Sequence, residues 1–394
     1  MEPRNSQTIQ QMFAVIKKSL WDIGTPAADQ ATYDELKIHT IAALANPALP
    51  SLNLPPELYE TWKKYVLYQV KRYYYFLYAQ SSLPLSVPYV ILKGTSAAQY
   101  YPHPEFRTMG DIDLMTRRED YQAACDMLLA NGYTEMQETE EDKDRHRSFS
   151  RGDIVVEMHI FFASLNDPRQ AKYVDDLIID HINPSHVLPD MVNGLVLLEH
   201  ISQHLELGLG LRQIIDWMMF VDRCLPDEKW PEFREMAEKS GMETLAVTAA
   251  RMCVMYLGLP ERKWCAEADE AICNKLMDYV LTSGNFGNKW KSESEYAIQL
   301  LTYSRTPKGA FKILQRNGLI NWKAAQNRLF LRPFAWIYRM GYYLVKGLAR
   351  PKAFSKLKAE FDEANKRSTL FDALGVKQKW KGLVVYKNGE YKKK

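Results

Sequence analysis

The spacing of apolar positions changes twice along this chain, and the changes divide it. Over residues 8–82 apolar side chains recur every three or four positions, which predicts helices. The last of these helices is long and rich in tyrosine (Tyr65, Tyr68, Tyr73, Tyr74, Tyr75, Tyr78). Prolines within 84–88 punctuate a switch, and Tyr89-Val-Ile-Leu92 follows as an unbroken apolar run of the buried-strand type. Small residues from Gly94 to Ala98 then open a helix. A second strand is predicted over 111–115, a helix over 119–131, and one or two further strands ending at Ile160. After about Asp167 the pattern is helical to the end, with a break at Gly208-Leu-Gly210. The expected architecture is α/β (α+β), with a small mixed-sheet domain over 84–165. An N-terminal helical segment (1–83) precedes it, and a helical domain (166–326) follows. An amphipathic helix and basic tail occupy 327–394.

Composition narrows the class. With 46% hydrophobic and 12% aromatic residues, 394 residues can bury a substantial core. A net charge of +3 is too small to point to nucleic acid. The five cysteines are odd in number and lack CxxC spacing, which argues for a reducing compartment and against a zinc site. The first 21 residues read as a polar amphipathic helix without the apolar core of a secretory signal. No run of 18 uncharged apolar residues occurs, so the expectation is a cytoplasmic protein without a membrane span.

The chemistry concentrates in Arg107-Thr-Met-Gly-Asp111-Ile-Asp113-Leu114. Alternate residues of an extended segment share a face, so Asp111 and Asp113 are expected to point the same way. Two such carboxylates repel unless a cation or a proton sits between them, and a hard cation such as Mg²⁺ accepts oxygen ligands there. Upstream, the Leu92-Lys93-Gly94-Thr95-Ser96 junction offers a helix start, two hydroxyls and the Lys93 charge to a phosphate. Downstream, Asp153-Ile-Val-Val-Glu157-Met-His159-Ile160 places Val155, Glu157 and His159 on one strand face, and an acid amid apolar residues demands a compensating partner. The plain alternative is a polar turn entering a strand, with the acids as surface caps.

Together these pieces resemble the DNA polymerase β-like nucleotidyltransferase superfamily. That pattern is a strand ending in Gly-Gly/Ser, an apolar-flanked Asp-x-Asp/Glu, and a third acid on a later strand. The wider wording, Leu92-Lys93-Gly94, Tyr101-Pro102, Arg107-x-x-Gly110-Asp111-Ile-Asp113-Leu114 and Gly132-Tyr133, is similar to a bacterial branch of largely uncharacterised nucleotidyltransferases. The likeness is tight over 88–160 and looser over 195–220. One position departs: Thr95 stands where the second Gly/Ser is expected, with Ser96 one step late.

The resemblance implies transfer of a nucleoside monophosphate from an NTP such as ATP to an acceptor hydroxyl or phosphate, with Mg²⁺ (or Mn²⁺) as cofactor and pyrophosphate released. Asp111, Asp113 and Glu157 are then the metal ligands and catalytic acids, with Glu157 alternatively a general base. Lys93, Gly94, Thr95, Ser96 and Arg107 are the nucleotide-binding candidates, Arg107 being equally suited to a structural ion pair. His159, His204, Arg212 and Asp216 are candidates for a supporting shell. Arg212 and Asp216 sit four apart on a helix and are expected to pair. The acceptor (small molecule, protein side chain or glycan precursor) is not written in the chain. The rival of another class is a nucleotide-binding regulatory or partner-binding protein of the same fold without turnover.

Three further stretches carry weaker signals. His200 and His204 have the four-residue spacing of zinc proteases, but Ile201 stands where the catalytic glutamate belongs. Arg145, Arg147 and Arg151 lie in a charge-rich segment that reads as a solvated hairpin and offers triphosphate contacts as the alternative. Residues 328–350 are greasy and aromatic with cations at Arg332, Arg339 and Lys346. They suit either a core helix with one wet edge or peripheral contact with an anionic inner membrane face. The lysine-rich tail from 377 reads as solvated.

Overall fold

Capping and a buried stripe at helical spacing account for the N-terminal helices. The Ser6 hydroxyl accepts from the Ile9 N–H at the start of Gln7–Trp21 (α1), and Asp29 accepts from Thr32 N–H, 2.8 Å, at the start of Gln30–Ile38 (α2). Pro56–Ser81 (α3) opens on two prolines and buries Leu58, Trp62, Val66, Gln69, Phe76 and Ala79 along one stripe. Four of its seven tyrosines (Tyr68, Tyr74, Tyr75, Tyr78) stay exposed, so Trp62 and Phe76 supply most of the aromatic packing expected of this helix. The computed structural model describes residues 3–137, 145–165 and 167–289. Beyond these it describes single positions between 302 and 319, residues 322–348 and 353–376, and the backbone of 384–387 and 390–393.

Two units are present. The first spans Met1–Lys289 with Leu374–Val376 and Val384–Lys394. Its sheet has the order β1-β2-β5-β4-β3, built from Tyr89–Leu92 (β1), Ile112–Thr116 (β2), Thr134–Glu135 (β3), His146–Arg151 (β4) and Ile154–His159 (β5). Only β2 and β5 run parallel; β1 pairs antiparallel with β2, and β4 with both β5 and β3. One face is apolar. Ile91, Ile112, Leu114, Phe149, Val156 and Met158 pack there with Phe76 and Ala79 of α3. Tyr121–Ala130 (α5) lays Tyr121, Ala124, Cys125 and Leu128 on the same core. Strand alternation therefore turns Asp113, Met115, Glu157 and His159 to the other face. Between β1 and β2 lies a five-residue helix, Gly94–Ala98 (α4).

Helices follow after residue 167 as expected, except that strands Val384–Lys387 and Glu390–Lys393 near the C-terminus depart from the reading of a chain helical to its end. Pro168–Asp180 (α6) brings Asp175, whose Oδ1 accepts from Phe162 N–H and Ala163 N–H at 3.0 and 2.8 Å and so fixes the chain leaving β5. Asp190–Leu207 (α7) and Leu211–Cys224 (α8) are separated by the Gly208-Leu-Gly210 break. Residues 211–221 of α8 are all buried, so its polar members need partners inside the protein. A Cβ on Gly194 of α7 would lie 2.2 Å from the Phe220 ring, which sets how closely α7 and α8 approach. Trp230–Ser240 (α9), Glu243–Leu257 (α10) and Glu270–Ser283 (α11) complete the helical part.

The second unit comprises Trp290–Ala373 and Lys377–Leu383. It contains Lys323–Asn327 (α12), Ala335–Leu348 (α13) and Ala353–Ala373 (α14). Pro333 lies in a 3₁₀ turn, Leu329–Phe334, ahead of α13, where its missing N–H interrupts no α-helical hydrogen bond. Trp322 and Tyr338 stack at 5.1 Å, while Phe330, Phe334, Ile337 and Met340 are exposed. Val384–Lys387 (β6) and Glu390–Lys393 (β7), within the lysine-rich tail, form an antiparallel hairpin. Residues 138–144 of the charge-rich segment, the side chains of Tyr343, Leu344 and Lys346, and tail residues 377–383 lie outside the described residues. Among the described residues no helix is long and apolar enough to cross a membrane.

Candidate active site

Strand register brings the acids together. Asp113 on β2 is paired with Glu157 on the parallel strand β5, and Met115 with His159. His159 Nε2 lies 2.9 Å from Asp113 Oδ1 and 3.6 Å from Glu157 Oε2. One donor atom from each of Asp113, Glu157 and His159 lies within 4.8 Å of the others. Two carboxylates and an imidazole at this separation form a donor set that suits a divalent cation. Asp111 falls outside this group. The β2 ladder begins at Ile112, so Asp111 precedes the regular alternation that would have aligned it with Asp113.

Lys93 closes the cluster from the end of β1. Its Nζ sits 2.7 Å from Asp113 Oδ1. Its backbone lies at φ +51°, ψ −146°, a conformation that costs a non-glycine residue about 1–3 kcal/mol, and Gly94 follows at φ +44°. The strain turns the chain sharply, and the lysine side chain lands among the acids. Burial works against the Lys93 ammonium, but Asp113, Glu157 and Asp111 raise its pKa above the ordinary lysine value. Burial likewise disfavours the His159 cation, and its hydrogen bonds to Asp113 and Glu157 outweigh that and raise it. Burial pushes the Glu157 carboxyl up, yet the His159 hydrogen bond and the Lys93 charge hold it at about 2. Burial, and then the Asp113 charge, push Asp111 up.

The other nucleotide-binding candidates have protein partners. Thr95 Oγ1 donates to Gln80 Oε1 on α3 at 2.5 Å, and Ser96 Oγ donates to Asn193 Oδ1 on α7 at 2.9 Å. Arg107 grips Asp216 of α8 with Nε and Nη2, both at 2.7 Å, and Tyr101 Oη donates to the same carboxylate at 2.7 Å. Asp216 is therefore not the partner of Arg212, as helix spacing suggests. Burial and the nearby Arg107 push Arg212 down. Arg145 donates to Phe162 O, Arg147 pairs with Glu135, and Arg151 lies over Tyr133, so these three are held at the hairpin and its base.

Sequence reasoning missed Tyr101 and Asn193 as partners within this network. Their roles depend on α7 and α8 folding back, about 90–115 residues along the chain. It sets His200 only against zinc-protease spacing and does not anticipate its direct contact with His204. The Nε2 atoms of His200 and His204 are 3.0 Å apart in a buried pair, and the four-residue spacing was the available signal. Burial and then mutual repulsion push His200 far down; burial, then Lys93 and Arg212, push His204 down to about 3. Both rings are neutral, and one donates to the other.

A mixed sheet thus carries a cation-ready Asp113, Glu157 and His159 cluster on one face, with Arg107 and Arg212 buried nearby. The chain belongs to a family of uncharacterised nucleotidyltransferases, whose model matches residues 27–258 and so includes both the sheet and α8. No curated protein and no solved structure shows a match to it.

Proposed function

We propose that the protein is a divalent-metal-dependent nucleotidyltransferase of the DNA polymerase β-like type. It moves a nucleoside monophosphate from an NTP to an acceptor hydroxyl or phosphate on a small molecule, protein or glycan precursor. The observation that carries this reading is the register of Asp113 and Glu157 on adjacent parallel strands, with His159 within reach of both. Asp113, Glu157 and His159, with Asp111 at the loop edge, would hold Mg²⁺ or Mn²⁺, which when bound supplies Lewis-acid stabilisation of the phosphate oxygens. The acceptor oxygen forms a bond to the α-phosphorus and gives up its proton to water. The bond from the α-phosphorus to the bridging oxygen breaks, and its electron pair leaves with pyrophosphate. A Glu157 carboxyl held at about 2 is a weak base at neutral pH, which favours a ligand role over proton abstraction. Lys93 neutralises the acids in the metal-free protein and is placed to turn to phosphate when a metal takes over that charge.

Melting curves with each of the four NTPs, with and without Mg²⁺, on wild type, Asp113→Asn and Glu157→Gln test the reading. Ligand at 100 times Kd adds about 2.7 kcal/mol, which such curves resolve. A metal-dependent shift with at least one NTP, lost in both variants, and pyrophosphate release once an acceptor is supplied, are expected. Binding without turnover across acceptor classes would favour the regulatory alternative, and no shift with any NTP would end both.

A further inference from the structure

Arg212 is a buried cation without an ion pair among the described residues: Asp216 and Asp111 attract it, but burial and the Arg107 charge outweigh them. It is 9% exposed on the first turn of α8, its Nε has no hydrogen-bond partner, and its Nη1 reaches only Thr108 O at 3.4 Å. No acid among the described residues pairs with it. The residue four positions on, Asp216, is saturated by both arms of Arg107 and by Tyr101, all at 2.7 Å. Burying an unpaired charge is costly, and a fold that keeps one beside an acidic cluster has a place for an anion.

We infer that the Arg212 guanidinium anchors the distal phosphates of the bound nucleotide, the part that leaves as pyrophosphate. The inference rests on the nucleotidyltransferase reading and deepens it. Of the other candidates, Arg107 is held by Asp216, Thr95 by Gln80 and Ser96 by Asn193, while Lys93 sits at Asp113 itself and so serves the reacting phosphate, not the distal ones. The position fits. A Cβ built on Gly110 would lie 3.8 Å from Arg212 Nη1, so the guanidinium faces the side-chain-free residue that leads into Asp111. The reacting phosphorus belongs at Asp113 and Glu157, where the bond is made and broken. Arg212 is outside that cluster, against the loop that precedes it, and meets the phosphates that carry the leaving charge. The planar fork of arginine matches phosphate oxygens two at a time, and the charge developing on the departing oxygen is the charge its N–H groups stabilise.

Isothermal titration of the full chain with inorganic pyrophosphate plus Mg²⁺, and separately with the four NMPs, tests this on wild type, Arg212→Met and Arg212→Lys. The expected result is a roughly 10- to 100-fold loss of pyrophosphate affinity in Arg212→Met, partial recovery in Arg212→Lys, and unchanged NMP affinity. The ligand-free melting temperature of Arg212→Met should be equal to or above that of wild type, because an uncompensated charge has been removed. Undiminished pyrophosphate affinity in Arg212→Met, with wild type still binding NTP, overturns the assignment of Arg212 alone. A lower ligand-free melting temperature with equal loss of NMP and pyrophosphate makes Arg212 structural and also overturns it. Wild type that binds neither pyrophosphate nor any NTP overturns the nucleotidyltransferase reading with it.

Discussion

Asp216→Ala is the sharpest test of how α8 is tied to the site loop. Its two oxygens take Nε and Nη2 of Arg107 at 2.7 Å, and the side chains are 1% and 3% exposed. Tyr101 Oη adds a third donor. With the carboxylate gone, the Arg107 guanidinium stays buried with no counter-charge, a change that costs about 3–5 kcal/mol in pairs of this kind. For a unit of this size that corresponds to a fall of roughly 5–8 °C in Tm. Replacing both partners, Arg107→Met with Asp216→Leu, should recover most of the loss, because the desolvated charges disappear together. The assay is urea unfolding of wild type, both single variants and the double, read as a double-mutant cycle. A loss under about 1 kcal/mol in Asp216→Ala, or no recovery in the double variant, would mean that water reaches this pair and would refute the reasoning. Because the Arg107 tether precedes Asp111 by four residues, Mn²⁺ affinity should fall in Asp216→Ala even at temperatures where it remains folded.

Other expectations concern the acids and the helix crossing. Glu157, held at about 2 against an ordinary 4.5 because His159 and Lys93 overcome its burial, gives metal-free protein stability that is present above about pH 4.5 and lost as pH falls towards 2. Glu157→Gln should therefore flatten that limb of a Tm-against-pH curve, and an unchanged limb would count against the hydrogen bond to His159. Asp111, raised by burial and by Asp113, is disfavoured in its ionised form by the fold. Asp111→Asn should accordingly raise the metal-free Tm at neutral pH while weakening Mn²⁺ binding in titration, and a lowered Tm would show that its charge has a stabilising partner. Gly194→Ala places a methyl 2.2 Å from the fully buried Phe220 ring and should cost about 1–3 kcal/mol in chemical denaturation, with α8 and Arg212 displaced; a neutral effect would mean that the crossing yields freely.

What the sequence determined by itself was local. An unbroken apolar run marked β1, alternation marked β2 and β5, helical spacing marked α3 and the helices after residue 167, and an acid amid apolar residues singled out Glu157. These signals survive because period and capping act over a few residues. Tertiary structure alone decided who meets whom. Asp113 faces Glu157 because β2 and β5 align in parallel, and His159 joins them two residues further along its strand. Asp111 falls out of the cluster because the ladder starts one residue late. Asp216 goes to Arg107, 109 residues away, instead of to Arg212 on its own helix, and Ser96 to Asn193, 97 residues away. A buried carboxylate takes the donors that packing brings to it, and which donors those are depends on how α7 and α8 fold back, which no four-residue spacing encodes.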